Sequence, residues 1–366
     1  MPPPSFPSQI FETQHGKIEV KQYKNSLKTP WSIAFLPDET LLITLKQGQL
    51  KHFDPISKRY RNIENIPKVV SKGQGGLLDV AVSNNFDKDQ TIFLSYSRSV
   101  GLFSAATAVM RAKLQLEPQL KLTDHRIIYE QTKPTSSGFH YGSRIVVKGE
   151  DIYITNGDRG DEDRAQDVFD TAGSIIRVKT NGSIPKDNPF ASGKKGHATI
   201  WSYGHRNPQG LALDELTGEV WSVEHGARGG DEINLPQKGK NYGWPIISYG
   251  THYSGGKIGI GTEAPNMEQP KYYWDPSIAP SGMTIYRGAL FPQWQGDIFV
   301  GALKDRKIVR LEKTKAGEVK QAEILLEGEY GRIRDVRTGP KGAIWFITDS
   351  EQGGLYQIIP AKEKNP

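Results

Sequence analysis

Short apolar runs, many alternating with polar residues, recur along the whole chain. The runs at 152–154 (Ile-Tyr-Ile) and 298–300 (Ile-Phe-Val) lie between segments that contain Gly and Asp, residues that favour turns. Alternation of this kind is typical of short β-strands, and no stretch sustains the 3.6-residue period of an amphipathic helix. The pattern therefore predicts an all-β protein.

One larger unit, consisting of strand, turn, strand, Gly-containing loop and strand, occurs repeatedly. Its six copies begin at Ser32, Leu77, Ser143, Gly210, Met283 and Ile333. Six copies in a chain of this length leave roughly 61 residues each, close to one four-stranded propeller blade with its loops. A β-sandwich has similar strand content but does not need the same order of elements six times. The repeat predicts a six-bladed β-propeller.

The repeats set the expected domain boundaries. Residues 28–360 are predicted to form a single propeller domain, residues 1–27 an N-terminal tail and lead-in, and residues 361–366 a C-terminal tail. The Pro-rich start has no basic segment followed by an apolar stretch, so no signal peptide is recognisable. Either the protein is cytoplasmic or an export signal has been removed.

Composition excludes several classes of protein. There is no Cys, which rules out disulfides, thiolate zinc sites, iron–sulfur clusters and cysteine nucleophiles. No apolar run reaches the roughly 18 residues that a membrane helix needs, so no membrane insertion is expected. The net charge of +6 suits a small anionic ligand but is too small and too dispersed to indicate nucleic acid.

The repeat predicts where functional residues gather. In an antiparallel hairpin, the residue that enters the first strand and the residue that leaves the second lie at the same edge. Such positions from all blades should therefore meet on one face around the central axis. They are occupied by Gln74, His140, Asp158, Arg206, Asn207, Gly226, Lys304, Arg332 and Arg334.

Three of these residues are cations. Each of Lys304, Arg332 and Arg334 taken alone is more often part of a solvated basic rim. Together at one mouth they would repel one another unless an anion lies between them, which favours a polycarboxylate or phosphate ligand. The guanidinium of Arg206 and the amide of Asn207 add donors for carbonyl oxygens.

A histidine and a carboxylate occupy matching edges of one blade. Asp158 could orient the imidazole of His140 and raise its basicity, which suits proton abstraction from a hydroxyl group. The alternative is a structural hydrogen bond, and His205 and His225 could be buried core residues.

The segment EHGARGGDEIN, which begins at Glu224, has glycines beside carboxylates. Such a turn suits Ca²⁺, which binds six to eight oxygen atoms, although its spacing is not that of an EF-hand. The acidic run at 158–163 is a second candidate, with a solvated loop as its alternative. No Rossmann, P-loop, GxSxG or HExxH motif is present, so nicotinamide, ATP-dependent, serine-hydrolase and zinc-protease functions lack support.

Several spaced motifs resemble one family, the soluble PQQ-dependent aldose sugar dehydrogenases of the glucose/sorbosone dehydrogenase group. They are GQGGLLDVAVS, HYGSRIVV with IYITNGDRG, GHRNPQGLAL, EHGARGGDEINL with KNYGWP, and GRIRDVRTGPKG, and the resemblance spans Lys28 to Ile358. The resemblance implies a six-bladed propeller that binds pyrroloquinoline quinone (PQQ) and Ca²⁺ on one face and oxidises aldose sugars to lactones.

The resemblance also implies roles for the converging residues. His140 would take the proton of the anomeric hydroxyl with Asp158 as its partner, while hydride passes to C5 of the quinone, and Arg206 would stabilise charge on the C5 oxygen. The remaining cofactor contacts would be Gln74, Asn207, Lys304, Arg332 and Arg334, with Tyr253 on the sugar side.

For metal binding, the resemblance implies one Ca²⁺ on the backbone carbonyls of Gly226 and Ala227. Relatives have Pro in place of Ala227, and the change should be tolerated because the ligand is a backbone oxygen. Glu232 and the carbonyl of Tyr242 match a second, structural Ca²⁺ site.

The family context implies a periplasmic or secreted enzyme whose signal peptide has been removed, and an electron acceptor that the sequence does not identify. The compact chain, without long inserted loops, implies a monomer with a broad aldose range. Two alternatives remain open. One is a non-catalytic propeller that binds a partner on the same face, and the other is a calcium-dependent propeller lactonase.

Overall fold

The computed structural model describes residues 7–314 and 317–362. Residues 1–6 and 363–366, which belong to the two predicted tails, lie outside the described residues. The described part is almost entirely β-structure, with one short helix, α1 (Phe86–Asp89), and two 3-10 turns (Glu162–Gln166 and Pro292–Trp294). No helix in it is long and apolar enough to cross a membrane.

The strands form six antiparallel sheets, here called blades 1 to 6. The first three blades contain β3 (Pro30–Phe35), β4 (Leu41–Leu45), β5 (Gln49–Phe53) and β6 (Tyr60–Ile63); β7 (Leu77–Val82), β8 (Thr91–Val100), β9 (Ser104–Gln115) and β10 (Lys121–Glu130); and β11 (Ile145–Lys148), β12 (Asp151–Thr155), β13 (Ser174–Lys179) and β14 (Ile200–Tyr203). Each blade follows chain order from one edge of the sheet to the other.

Blades 4 and 5 repeat this order, and blade 6 combines segments from distant parts of the chain. Their strands are β15 (Pro208–Asp214), β16 (Glu219–Glu224), β17 (Asp231–Asn234) and β18 (Tyr272–Trp274); β19 (Pro280–Ile285), β20 (Ile298–Ala302), β21 (Ile308–Lys313) and β22 (Val319–Leu325); and β23 (Ile333–Thr338), β24 (Ile344–Thr348) and β25 (Gly353–Pro360) with β2 (Gly16–Leu27) and β1 (Ser8–Thr13).

The first strands of the six blades surround a common axis. β3 packs on β7, β7 on β11, β11 on β15, β15 on β19, β19 on β23, and β23 returns to β3. Because the blades stack face to face, strands such as β4 and β20 are buried along their whole length. The prediction of an all-β, six-bladed propeller is confirmed.

The N-terminal boundary differs from the sequence-based expectation. Residues 8–27 were expected to be part of a tail and lead-in, but they form β1 and β2 of blade 6. β2 pairs with β25 in antiparallel register, with Val20 opposite Ile358. This pairing joins the two ends of the described chain and closes the ring. The alternation in β2 is partly hidden by register shifts, which explains why the repeat pattern did not extend to it.

A buried ion cluster fills the centre of the ring. Nη1 of Arg144 lies 3.1 Å from Oδ1 of Asp335 and 3.4 Å from Oδ1 of Asp79. Arg337 contacts the same two carboxylates at 3.0 Å each. One buried and one partly buried cation therefore face two buried anions, a balance that limits the cost of removing the charges from water. The Arg144 guanidinium stacks 4.1 Å from the ring of Trp31, at the base of the cavity described next.

Candidate functional site

A cavity of about 260 Å³ opens at the edge where first strands begin and second strands end. Trp31, Leu78 and Tyr141, which form a small buried cluster, contribute apolar walls. The polar side chains that line it are Lys46, Gln74, Asn207, Gln209, His225, Arg332, Arg334 and Asp349. The cavity thus brings together residues from all six blades, as the hairpin argument predicted for this edge.

The two arginines share an acidic partner that the sequence analysis missed. Arg332 donates to Oδ2 of Asp349 from Nε at 3.1 Å and from Nη2 at 2.9 Å, and Arg334 donates to the same oxygen from Nη2 at 3.0 Å. Burial would raise the pKa of Asp349, but the charges of Arg334 and Arg332 outweigh burial and hold that pKa below its ordinary value. An anion within the chain therefore relieves part of the expected repulsion.

Two further cations approach the cavity. Lys46 directly follows β4, and its Nζ donates to the carbonyl of Gly73 at 2.9 Å. Lys46 leaves the second strand of its blade, as the predicted edge residues do, and this signal in the sequence was not used. Lys304 is exposed and lines a neighbouring cavity of about 570 Å³, together with Tyr253, Gly226 and Ala227. The two cavities share His225 and Ala279, so Lys304 is next to the arginines and not between them.

His140 and Asp158 form the predicted pair. Nδ1 of His140 lies 2.6 Å from Oδ1 of Asp158, and the backbone N–H of His140 donates to Oε1 of Gln74 at 2.8 Å. Burial would raise the pKa of Asp158, but hydrogen bonds from His140 and Gly160 and the charge of Arg206 hold it below its ordinary value. The carboxylate is therefore ionised at neutral pH and suited to accept the Nδ1 proton.

The backbone around this pair is tightly packed. His140 has φ 50°, a left-handed conformation that few non-glycine residues adopt. A Cβ on Gly157 would lie 2.2 Å from the carbonyl oxygen of His140. Glycine at 157 thus permits the close approach that brings the histidine and the aspartate together.

Arg206 is held between two loops. Its backbone N–H donates to Oε2 of Glu224 at 2.7 Å, its Nη1 donates to the carbonyl of Gly226, and its guanidinium lies 5.2 Å from the ring of Trp244. Asn207 accepts from the N–H of Gly142 at 3.1 Å. Nε of Arg206 and Nε of Arg334 are buried donors without a hydrogen-bond partner in the described chain. Unused buried donors are costly, and an anionic or carbonyl-bearing ligand would satisfy them.

The sequence of this chain, compared with known proteins, matches the Glucose / Sorbosone dehydrogenase family over residues 27–357. It belongs to that family. It is 41% identical over 347 residues to aldose sugar dehydrogenase YliI of Escherichia coli, covering 94% of this chain and 93% of the relative. It is 24% identical over 438 residues to quinoprotein glucose dehydrogenase B of Acinetobacter calcoaceticus, covering 97% and 90% of the two chains.

Solved structures agree with this family assignment. The soluble aldose sugar dehydrogenase of Escherichia coli in its apo-form superimposes with a TM-score of 0.90 at 41% identity, covering 94% of this chain and 100% of that one. The PQQ-bound aldose sugar dehydrogenase of Streptomyces coelicolor superimposes with a TM-score of 0.77 at 23% identity, covering 97% and 99%, which shows a common fold. The predicted resemblance and the prediction of a sugar-oxidising dehydrogenase are confirmed.

The two histidines that could be buried core residues, His205 and His225, have different surroundings. His205 is fully buried between Ser202 and Glu224, at 2.9 Å and 2.8 Å. His225 lines both cavities and bonds to the carbonyl of Pro280. Burial, followed by the charge of Arg206, lowers the pKa of His225 to about 3, so its ring is neutral.

A second polar cluster surrounds Glu232, a predicted metal ligand. Nδ2 of Asn234 donates to Oε2 of Glu232 at 3.1 Å and to Oε1 of Glu224 at 2.9 Å. Burial and then the charge of Glu224 raise the pKa of Glu232 to about 8. Oδ1 of Asn234 is buried without a partner in the described residues. Two carboxylates beside an unpartnered amide oxygen fit a hard cation, which prefers oxygen ligands.

The other acidic residues named as candidates have different roles. Asp231 is buried and accepts hydrogen bonds from the backbone N–H groups of Gly226, Ile278 and Ala279, so it organises a turn. In the run at 158–163, Asp161 and Asp163 are exposed. Within the described ranges, no three His, Asp or Glu side chains are grouped to hold a metal ion.

Proposed function

We propose that this chain oxidises the anomeric hydroxyl of aldose sugars to lactones and depends on PQQ and Ca²⁺. The observation that carries the proposal is an arrangement at one edge of the ring. Cations, among them Arg334 with its unpartnered Nε, line the cavity. The His140–Asp158 pair adjoins the cavity through the hydrogen bond from His140 to Gln74. PQQ-bound and quinoprotein relatives support the choice of cofactor. PQQ, when bound, supplies a two-electron acceptor for the hydride that leaves the sugar.

His140 supplies the base in this proposal. Its Nδ1 proton is directed to Asp158, which leaves the lone pair on Nε2 to accept a proton from the sugar hydroxyl. The ionised Asp158 stabilises the imidazolium that forms and keeps the ring in one orientation.

The cations hold and polarise the cofactor. We assign Arg332, Arg334 and Lys304 to its carboxylates, with Lys46 as an added contact, because all four reach the two adjoining cavities. Gln74 and Asn207 line the same space as uncharged contacts. Arg206 is assigned to negative charge that develops on the reacting oxygen, as a fixed hydrogen-bond donor would stabilise it.

The calcium assignment covers two places. Gly226 and Ala227, whose carbonyls are assigned to the first ion, line the cavity that Lys304 and Tyr253 also line, and the carbonyl of Gly226 accepts from Arg206. Glu232 and the carbonyl of Tyr242 are assigned to the second ion, where the unpartnered Asn234 oxygen adds a ligand of the correct type. Periplasmic or extracellular location, a monomeric state and an unidentified electron acceptor complete the proposal and stay predictions.

The experiment adds PQQ and Ca²⁺, separately and together, to metal-free apoprotein and follows reduction of an artificial dye with glucose, other aldoses and a lactone. Sugar-dependent dye reduction that needs both additions supports the proposal. Lactone hydrolysis without PQQ would replace it with the lactonase alternative. Absence of both activities, in protein that binds no PQQ, would favour the non-catalytic propeller.

A further inference from the structure

The buried indole of Trp244 contacts the His140–Asp158 pair from the side opposite the histidine. Its Nε1–H donates to Oδ2 of Asp158 at 2.8 Å. The other carboxylate oxygen, Oδ1, is shared by Nδ1 of His140 at 2.6 Å and the N–H of Gly160 at 2.7 Å. The two oxygens of Asp158 therefore have different partners, and the indole fixes which oxygen faces the histidine.

Trp244 is itself held in place. The backbone N–H of Trp244 donates to the carbonyl of Gly204 at 2.9 Å. Its backbone carbonyl accepts from Nε2 of Gln166 at 2.7 Å. Gln166 and Asn241 also exchange amide hydrogen bonds at 3.1 Å and 2.8 Å. These bonds fix the backbone from which the indole projects, while the ring itself is fully enclosed apart from a small exposed fraction.

The indole ring has a second contact, because the guanidinium of Arg206 stacks on it at 5.2 Å. The charged groups around Asp158 are His140 when protonated, Arg206 and Arg159. Arg159 is buried and donates to the carbonyls of Phe139 and Ser137, so it is occupied by the loop that carries His140. Trp244 thus supplies the donor that the structure places on Oδ2.

We propose that Trp244 is a positioning residue for proton abstraction: it fixes the Asp158 carboxylate so that His140 keeps its Nε2 lone pair directed away from the pair. The inference deepens the proposed function and rests on it. Because the indole N–H points its positive end at the carboxylate, it also weakens the attraction of Asp158 for a protonated imidazole. Loss of the N–H should therefore make protonated His140 more favourable.

The test is Trp244→Phe, which keeps an aromatic ring beneath Arg206 and removes the N–H. We expect kcat to fall about 10- to 100-fold, the range for losing one hydrogen bond to a charged group. The acid limb of the pH–rate profile should move to higher pH, while PQQ affinity changes less than about threefold. An unchanged acid limb, or one displaced to lower pH, overturns the inference.

Trp221→Phe is the matched control. Trp221 is also buried, its Nε1 donates to a carboxylate oxygen of Glu219 at 3.3 Å, and Lys313 lies 5.1 Å from its ring, but it packs in the core between blades 4 and 5. It should lose stability without a change in pH profile. If Trp244→Phe does not fold, Gln166→Met removes the hydrogen bond to the backbone carbonyl of Trp244, and it should displace the acid limb in the same direction.

A titration in the apoprotein separates this inference from the proposed function. Nuclear magnetic resonance of the His140 ring needs neither cofactor nor turnover, and its titration midpoint should be higher in Trp244→Phe than in the wild type. A raised midpoint in a protein that oxidises no sugar would leave the Trp244 contact valid and remove the proposed function. An unchanged midpoint in an enzyme that oxidises sugar would leave the proposed function valid and remove the role of Trp244.

Discussion

Nη2 of Arg334 lies 3.0 Å from Oδ2 of Asp349, and the two residues belong to neighbouring strand ends of blade 6. Arg332 donates to the same oxygen. The cavity therefore holds its own anion, so its arginines are ordered before any ligand enters. A polycarboxylate ligand would bind to guanidinium groups that are already oriented, which lowers the entropic cost of binding.

Asp349→Asn should destabilise the apoprotein by about 1.5–3 kcal/mol at pH 7, the range for hydrogen bonds to a charged group. The folded-state pKa of Asp349 is lowered. Its stabilisation is thus fully present above the unfolded pKa of about 3.9 and is lost as pH falls through the lower folded value. Urea unfolding from pH 7 to pH 3 should show the wild type and the variant converging below about pH 4.

The exposed Asp124 provides the control. Asp124→Asn should follow the wild-type curve at every pH. A difference between wild type and Asp349→Asn that stays constant down to pH 3 would show that the carboxylate charge does not stabilise the two arginines.

Arg334→Ala should weaken PQQ binding about 10- to 100-fold, because it removes a charge-assisted contact and leaves Asp349 less well neutralised beside the ligand. The measurement is a spectroscopic PQQ titration of apoprotein at two salt concentrations. Arg126→Ala, at an exposed position on β10, should bind PQQ as the wild type does. Equal affinity of the Arg334 and Arg126 variants would contradict the anion-binding role of the cavity.

His140→Ala should lower kcat by about 10²–10⁴-fold, the usual contribution of general base catalysis. PQQ affinity should remain within a few-fold of the wild type, because the cations that hold the cofactor are untouched. Steady-state dye reduction and a PQQ titration measure the two quantities. His125→Ala, on an exposed segment of β10, should keep full activity. Full turnover by His140→Ala would assign the proton transfer to another group.

Removal of Ca²⁺ by a chelator should lower the Tm of the wild type, because an ion that binds only the folded state adds stability, about 2.7 kcal/mol at 100 times its Kd. In Glu232→Gln, most of the rise in Tm that calcium causes should be lost. Glu150→Gln changes an exposed glutamate and should respond to calcium like the wild type. A Tm of Glu232→Gln that rises with calcium as much as the wild type would remove Glu232 from the site.

The repeat made the fold predictable, since each copy carries its own alternation and turn residues. The same reasoning located the edge where His140, Asp158, Asn207 and Arg334 meet, because strand ends in equivalent hairpins must share a face. It could not locate Asp349 or Trp244. Asp349 follows the second strand of blade 6, which is an equivalent strand end. The search for an anion site considered only cations, so this carboxylate was overlooked. Trp244 reaches Asp158 from 86 positions along the chain, through a loop without repeat pattern.

The first strands of the chain were missed for a related reason. β2 pairs with β25, and no local pattern reveals a partner more than three hundred residues away. Ion pairing in the core was also hidden, because Asp79 and Arg337 are ordinary charged residues until the ring brings them together. Long-range contacts of this kind depend on closure and not on local sequence.

The pairing of β2 with β25 also determines when the molecule can be completed. Blade 6 cannot assemble until its last strand has been synthesised, so the edge of β2 that pairs with β25 stays open through translation of five blades, although β1 and β2 can already pair with each other. An exposed strand edge in that interval is open to aggregation.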